Sequence, residues 1–327
     1  MRGRRRSDSA TMDPNNDRYG TYVKRRGDTI IKVYDYCVRS LFMNTEIKVA
    51  CTLFADNSIA FWDSNFFALS MMENENIVDT VCILKSHIII AEHVDETQYR
   101  LRSLSFFLET DTVVFTSQTE IIAIYPTVMG TYGFLAVTNT GTIIFFSSEN
   151  ESWKVESTLL LNTYVVCCDK TDSKLFLYTR NGKVLTMDLR TGSQRVYSTN
   201  VADGISVHGF SVQQKEYAVV VGKKSLIEVI DLSTERTITE TIGSNYEYTH
   251  SCVCILRDGD PLLVLAGTYF NRISMSCVSL PELEKRGLLQ KTGPLVSGVY
   301  SLHGFSEEYS LLACYTYGTV TPMLLEY

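Results

Sequence analysis

Five histidines and nine cysteines are the side chains of this 327-residue chain best suited to catalysis or metal binding, and their spacing favours neither. Cys167 and Cys168 are adjacent, so on a strand they point to opposite faces and cannot easily share an ion. Cys252 and Cys254 do share a strand face, but no second pair stands near them in sequence. His87 and His93 have the same strand parity, yet lie roughly 20 Å apart along an extended chain, too far for one metal. Neither a Gly-x-Ser-x-Gly elbow nor a glycine-rich phosphate loop occurs. His208 and His303 sit in a repeated hexapeptide, SVHGFS at 206–211 and SLHGFS at 301–306, each followed by a charged turn and Glu-Tyr (Glu216-Tyr217 and Glu308-Tyr309). One reading is a pair of histidine sites. The other, favoured by shared repeat ancestry, is a strand and its following turn, with Phe210 and Phe305 packing between repeats. The residues thus predict no catalytic group, no metal and no cofactor.

The elements that carry these residues are strands. Hydrophobic residues make up 45% of the chain and charged residues only 20%, which excludes a disordered protein. Pro is scarce, while Val, Ile, Thr, Tyr and Phe are abundant, as in sheets. No apolar run is long enough to span a bilayer, because Asp79 and Lys85 interrupt the nearest candidate. The basic N-terminus lacks a following apolar segment, so no secretory signal is expected. The cysteines are then expected as reduced, buried thiols in a cytoplasmic or nuclear protein.

The net charge of −7 is unevenly spread. Residues 1–28 hold eight Lys and Arg against four Asp, leaving 22 basic and 33 acidic residues in the rest, a net −11. Nucleic-acid binding by that acidic body is not expected. Residues 1–27 lack hydrophobic periodicity and are expected as a disordered basic tail. Arg2, Arg4, Arg5 and Arg6 before Ser7 would serve a nuclear address, an anion-binding arm or a phosphosite, or simply solubilise the chain.

From residue 28 onward, strand, turn and strand alternate at short intervals. The tight polar tips fall at Asn57, Thr97, Gly141, Gly182, Lys224, Asn271 and Gly318, 40 to 47 residues apart. One four-stranded propeller blade takes about 40–45 residues. The expected blades are 37–72, 77–117, 120–161, 163–199, 205–242, 249–291 and 296–327. The last has room for only three strands. The leftover segment 29–36, TIIKVYDY, would supply its fourth and close the ring, leaving no open edges. The expectation is therefore an all-β, seven-bladed propeller over residues 28–327.

Residues 53–64, LFADNSIAFWDS, read as strand, Asp56-Asn57 turn, and a strand ending in Trp62-Asp63. This segment resembles one blade of the WD-repeat family. Met187-Asp188 and Ile230-Asp231 keep the acid of the terminal pair, and the Gly-His that usually opens a blade is absent. Without that family's hydrogen-bond network, stability is expected to rest on apolar packing between blades. The resemblance implies a non-enzymatic platform holding other proteins or peptides. Lys24 to Gly27 resembles the basic motif of phosphoinositide-binding propellers, but lies in the tail.

On such a platform, the loops between blades and the turns between second and third strands gather on one face, the top. Tyr246, Tyr248 and His250 lie in the connection entering the sixth blade. Tyr269, Phe270 and Arg272 surround its tip, and Tyr315 and Tyr317 flank the next one. Tyr, Phe and Arg dominate interface hot spots, so these eight residues form the expected partner site. A second candidate is acidic, with Glu73 and Glu75 near Asp56, suited to a basic peptide. Two other functions compete. A propeller-type hydrolase, similar to the diphthine methylesterase-like proteins in residues 263–269 (LVLAGTY), would need a polar triad converging in the channel or a pocket. Nucleic-acid or anion binding would be confined to the tail.

Overall fold

The computed structural model describes residues 24–26, 31–32, 38–64, 68–74, 76–105, 111–127, 133–149, 152–224, 226–241, 246–256, 258–269, 272–290, 296–306, 310–315 and 319–326. Its regular elements are all strands. Two short ones, β1 (Lys24–Arg26) and β2 (Ile31–Lys32), precede the repeats. The first blade is β3 (Val38–Asn44), β4 (Val49–Phe54), β5 (Ile59–Asp63) and β6 (Ala68–Met72). The second is β7 (Ile77–Ile83), β8 (His87–Asp95), β9 (Gln98–Ser105) and β10 (Asp111–Ser117). The third is β11 (Ile121–Thr127), β12 (Gly133–Thr138), β13 (Thr142–Glu149) and β14 (Ser152–Leu160). The fourth is β15 (Val165–Lys170), β16 (Lys174–Thr179), β17 (Lys183–Asp188) and β18 (Gln194–Ser198). The fifth is β19 (Gly204–Val212), β20 (Lys215–Gly222), β21 (Leu226–Asp231) and β22 (Thr237–Thr241). The sixth is β23 (Tyr246–Ile255), β24 (Pro261–Tyr269), β25 (Arg272–Ser279) and β26 (Lys285–Gln290). Then come β27 (Val296–Ser301), β28 (Leu311–Tyr315) and β29 (Thr319–Glu326).

Six of the sheets are four-stranded antiparallel blades, each an up-and-down meander, and together they make an all-β propeller. Six of the seven expected blades are thus sheets of four consecutive strands. The remaining sheet differs. It is the meander β27–β28–β29, joined on β29 by both N-terminal strands. Ile31 and Lys32 lie opposite Val320 and Thr319, while Lys24 lies opposite Glu326. Lys24–Arg26, assigned to the basic tail by composition, is therefore paired backbone. The rest of segment 29–36 falls outside the described residues.

The burial pattern follows strand position. Second strands such as β12 and β16 are buried almost throughout, because each has a sheet neighbour on both sides and another blade against each face. Their sequences are accordingly unbroken apolar runs. Outer strands such as β14 and β18 are largely exposed. Leu69, Met71, Val113, Val155, Leu160, Val196 and Ile238 stand out into solvent from this rim.

Each apolar cluster fills the gap between two successive sheets. Leu53, Ile59 and Phe61 of the first blade meet Val78, Val81 and Ile90 of the second, and this pattern repeats around the molecule. One further cluster joins Val38, Phe54 and Trp62 of the first blade to Leu302, Phe305 and Cys314 of the last sheet. Fully burying one such side chain is worth about 1.5–3 kcal/mol, so the expectation of stability from inter-blade packing fits this arrangement.

Two local devices recur. The tips at Asn57, Gly141 and Gly182 have positive φ (67°, 80° and 70°), the left-handed geometry that Asn and Gly accept most readily in tight hairpins. Asp56 folds its carboxylate onto the Ser58 N–H and hydroxyl (3.0 and 2.6 Å). At the next turn along other blades, Asp188 and Asp231 do the same for Arg190, Thr191, Ser233 and Thr234. Those bonds hold the Asp231 carboxyl down at about 2. The second device is a bulge near the start of every inner strand, at Arg39, Asp79, Ile122, Val166, Ile205, Thr249 and Ser297. One extra residue there bends each inner strand and re-aims the side chains that follow.

Candidate functional site

The top of the sixth blade is only partly as expected. β23 begins at Tyr246, so Tyr246 to His250 belong to an inner strand and not to a connecting loop. The strand extends this far because Tyr246, Glu247 and Tyr248 pair with Tyr269, Thr268 and Gly267 of β24, and the Tyr248 N–H also donates to the Lys223 carbonyl of the fifth blade at 2.9 Å. Tyr248 itself is 1% exposed and packs with Phe210, Val221 and Leu263 between blades, so it offers no ring to a partner. His250 is half-buried, its Nδ1 3.0 Å from Thr249 Oγ1, and burial lowers its pKa, which keeps it neutral. Register places Tyr246 opposite Tyr269, and Tyr269 opposite Arg272, at one end of β23, β24 and β25. Tyr315 pairs with Val296 at the corresponding end of β28. Phe270 and Tyr317 fall outside the described residues.

The second candidate is not an acidic groove. Glu73 lines a cleft of about 460 Å3 with Asn74, Asn76, Arg100, Arg102, Asp111 and Val113. Behind them the side chain of Glu92 is completely buried and bonded to both arginines, at 2.6 Å from Arg100 Nε. Arg102 also forks onto Asp111 and donates to Asn74 Oδ1 at 3.0 Å. The two guanidinium groups offset the acids, and Asp56 is engaged in its own turn. Glu75 falls outside the described residues.

The repeated hexapeptides diverge in structure. Phe210 and Phe305 are both buried between blades, as repeat ancestry predicts. His303, however, lies exposed in the turn after β27, whereas β19 continues through His208. There His208 meets two side chains that spacing could not have selected. Its Nε2 is 2.9 Å from Ser251 Oγ on β23, and its Nδ1 is 3.6 Å from Asp169 Oδ2 on β15. Asp169 also accepts the Gly209 N–H at 3.2 Å, and Ser206 Oγ lies 2.5 Å from Ser251 Oγ. Asp169 and His208 occupy equivalent places, three residues beyond the bulges at Val166 and Ile205. An acid, a histidine and a serine thus converge from the inner strands of three successive blades. The only signal for this in the sequence was the strand position of His208.

The cysteines follow strand parity. Cys167 packs toward the fifth blade and Cys168 toward the third, while Cys252 and Cys254 share a face with sulfurs 3.7 Å apart. Cys51, Cys82, Cys167, Cys168, Cys252, Cys254 and Cys314 are free thiols. Burial raises the thiol of Cys82 to about 12. Among the described residues no cluster of His, Cys, Asp and Glu is arranged to hold a metal ion, and no helix is long and apolar enough to cross a membrane.

No protein-family model matches this chain, and no curated protein matches it.

Proposed function

We propose that the chain is a divergent, seven-bladed WD-repeat-like propeller that acts as a protein-interaction scaffold, a subunit of a larger complex in the cytoplasm or nucleus. The propeller fold suits protein partners, since a rigid ring presents many turns on one face and unpaired edge strands on its rim. In this reading β27–β29 are a seventh blade, completed by β2 and β1. Two observations support closure: β27 packs against β3 just as each other inner strand packs against its neighbour, and apolar side chains fill that gap. Removing residues 24–36 should then lower the melting temperature by several degrees, because β29 loses β1 and β2 and becomes an open edge. A melting curve unchanged by that deletion would remove the closure model.

The partner site is proposed at the top of the sixth blade and the last sheet. It is carried by the register that sets Tyr246, Tyr269 and Arg272 side by side across three strands. The matching experiment is affinity purification of the tagged protein from its own cells beside a Tyr246→Ala/Arg272→Ala variant, with Tyr248 left intact because it is core. Specific partners should co-purify with the wild type and be lost at least tenfold with a variant that still melts cooperatively. Partners retained by the variant would move the site elsewhere on the ring.

A further inference from the structure

We propose that Ser251, His208 and Asp169 form a nucleophilic-serine site across the inner strands of three successive blades that hydrolyses uncharged carboxylic esters. This activity is separate from the scaffold role and uses none of the top-face residues assigned to a partner.

Hydrogen-bond direction assigns the roles. A carboxylate can only accept, so Asp169 facing Nδ1 at 3.6 Å favours the proton on that nitrogen. Nε2 is then a lone-pair acceptor, and Ser251 at 2.9 Å must donate to it. The Ser251 hydroxyl has only one proton, so the 2.5 Å contact with Ser206 requires Ser206 to donate to Ser251. The chain of donors runs Ser206 to Ser251 to His208, with Asp169 facing the other ring nitrogen. That is the polarity an activated serine requires: a base within reach of the nucleophile's proton and a third group that holds the base. The Asp169 contact is longer than a hydrogen bond, as is common before substrate binds. The Gly209 N–H steadies the same carboxylate oxygen.

Access and charge define the substrate class. The side chains of His208 and Asp169 are 17% and 32% exposed, so the group is reachable from solvent although it lies on inner strands. Among the described residues, every hydrogen bond to their side chains comes from Ser206, from the Gly209 N–H or from one another. Among the described residues no Lys or Arg is hydrogen-bonded or ion-paired to them, so the site proposed carries no group to select a phosphate or carboxylate ester.

In the reaction, Ser251 Oγ adds to the ester carbonyl carbon while its proton passes to His208 Nε2. The carbonyl π pair moves to oxygen. As the carbonyl re-forms, the bond to the alkoxy oxygen breaks, and that oxygen takes the proton from Nε2 and leaves as alcohol. Water then repeats the sequence on the acyl-serine, releasing the carboxylic acid and restoring Ser251. One ester and one water give one acid and one alcohol, with no redox partner. Ser251 and His208 are catalytic residues here, and Asp169 is a positioning residue.

The test uses the full chain, with p-nitrophenyl acetate as substrate and a fluorophosphonate as covalent probe. Mass spectrometry should locate the phosphonyl adduct on Ser251. Ser251→Ala should lose the adduct and return turnover to background, and His208→Gln should lower kcat about 10³-fold or more. Asp169→Asn should lower kcat by about 10²–10⁴-fold with KM unchanged, a split that a purely structural role would not produce. The wild-type labelling result stands even if a variant misfolds. Cooperatively folding wild-type protein without an adduct on Ser251 overturns the proposal. So does an adduct on Ser206 instead, or wild-type turnover in a folded Ser251→Ala variant.

Discussion

Arg102→Met destabilises the protein by about 3–5 kcal/mol, the cost of breaking a buried ion pair from one side. At roughly 2 °C per kcal/mol for a domain of this size, the melting temperature falls by about 6–10 °C. The reason is Glu92. Its side chain has no solvent exposure, and its carboxylate is compensated by Arg100 and Arg102, with Asn76 Nδ2 at 3.5 Å. Without Arg102, a buried anion keeps a single cation, and Asn74 and Asp111 lose the group that ties them to β9. The double variant Glu92→Met/Arg102→Met separates the causes. Replacing both partners by apolar groups is often close to neutral, so the double variant should recover much of the stability lost by the single one. Thermal unfolding of the three proteins decides. A double variant as unstable as Arg102→Met would mean that the arginine acts through Asn74 and Asp111 and not through the buried acid.

Gly267→Ala costs about 3 kcal/mol, the upper end of ordinary overpacking. Gly267 lies on β24 opposite Tyr248, beside the bulge in β23. A Cβ built there would lie 2.2 Å from the Glu247 carbonyl oxygen and 2.8 Å from Tyr248 Cα. Both are backbone atoms, so no side chain can swing away, and β23 itself must move. Gly192→Ala is the control. That residue has φ of 70° and nothing within 4 Å of the added carbon, so only the left-handed penalty of about 1–2 kcal/mol applies. Chemical denaturation should separate the two variants clearly. Equal losses would place the cost at Gly267 in backbone conformation and not in the close approach of β23. A displaced β23 also carries Ser251 away from His208, so Gly267→Ala should lower any esterase turnover along with stability. The bulge that sets the inner strand thus joins packing to the proposed chemistry.

Much of the architecture was legible in the sequence because it is written locally. Turn residues punctuate the chain, and the strands between them are long apolar runs where both faces are covered. The tips at Asn57, Thr97 and Gly141 fall between paired strands, and the second blade begins and ends at the expected residues, 77 and 117. Strand parity alone placed the cysteines on their faces, since a period of two needs no knowledge of neighbours. The last sheet was harder. Its three-stranded shortfall was visible, but β1 and β2 find β29 across nearly the whole length of the chain.

The candidate sites divide in the same way. Tyr246, Tyr269 and Arg272 were brought together by hairpin register, which is local. Tyr248 was misplaced because the bulge at Thr249 and the bond to Lys223 draw it into an inter-blade core. Glu92 and Arg102 carry no local signal of their pairing; Glu92 shares a face of β8 with Ile90, which packs against the first blade, and that packing buries the acid. By itself, the sequence determined a succession of four-stranded antiparallel units, because turns and apolar runs act over a few residues. Tertiary structure alone decided that Asp169, His208 and Ser251 meet. Each is an ordinary residue on its own inner strand, some 40 positions from the next, and only the stacking of blades makes them neighbours.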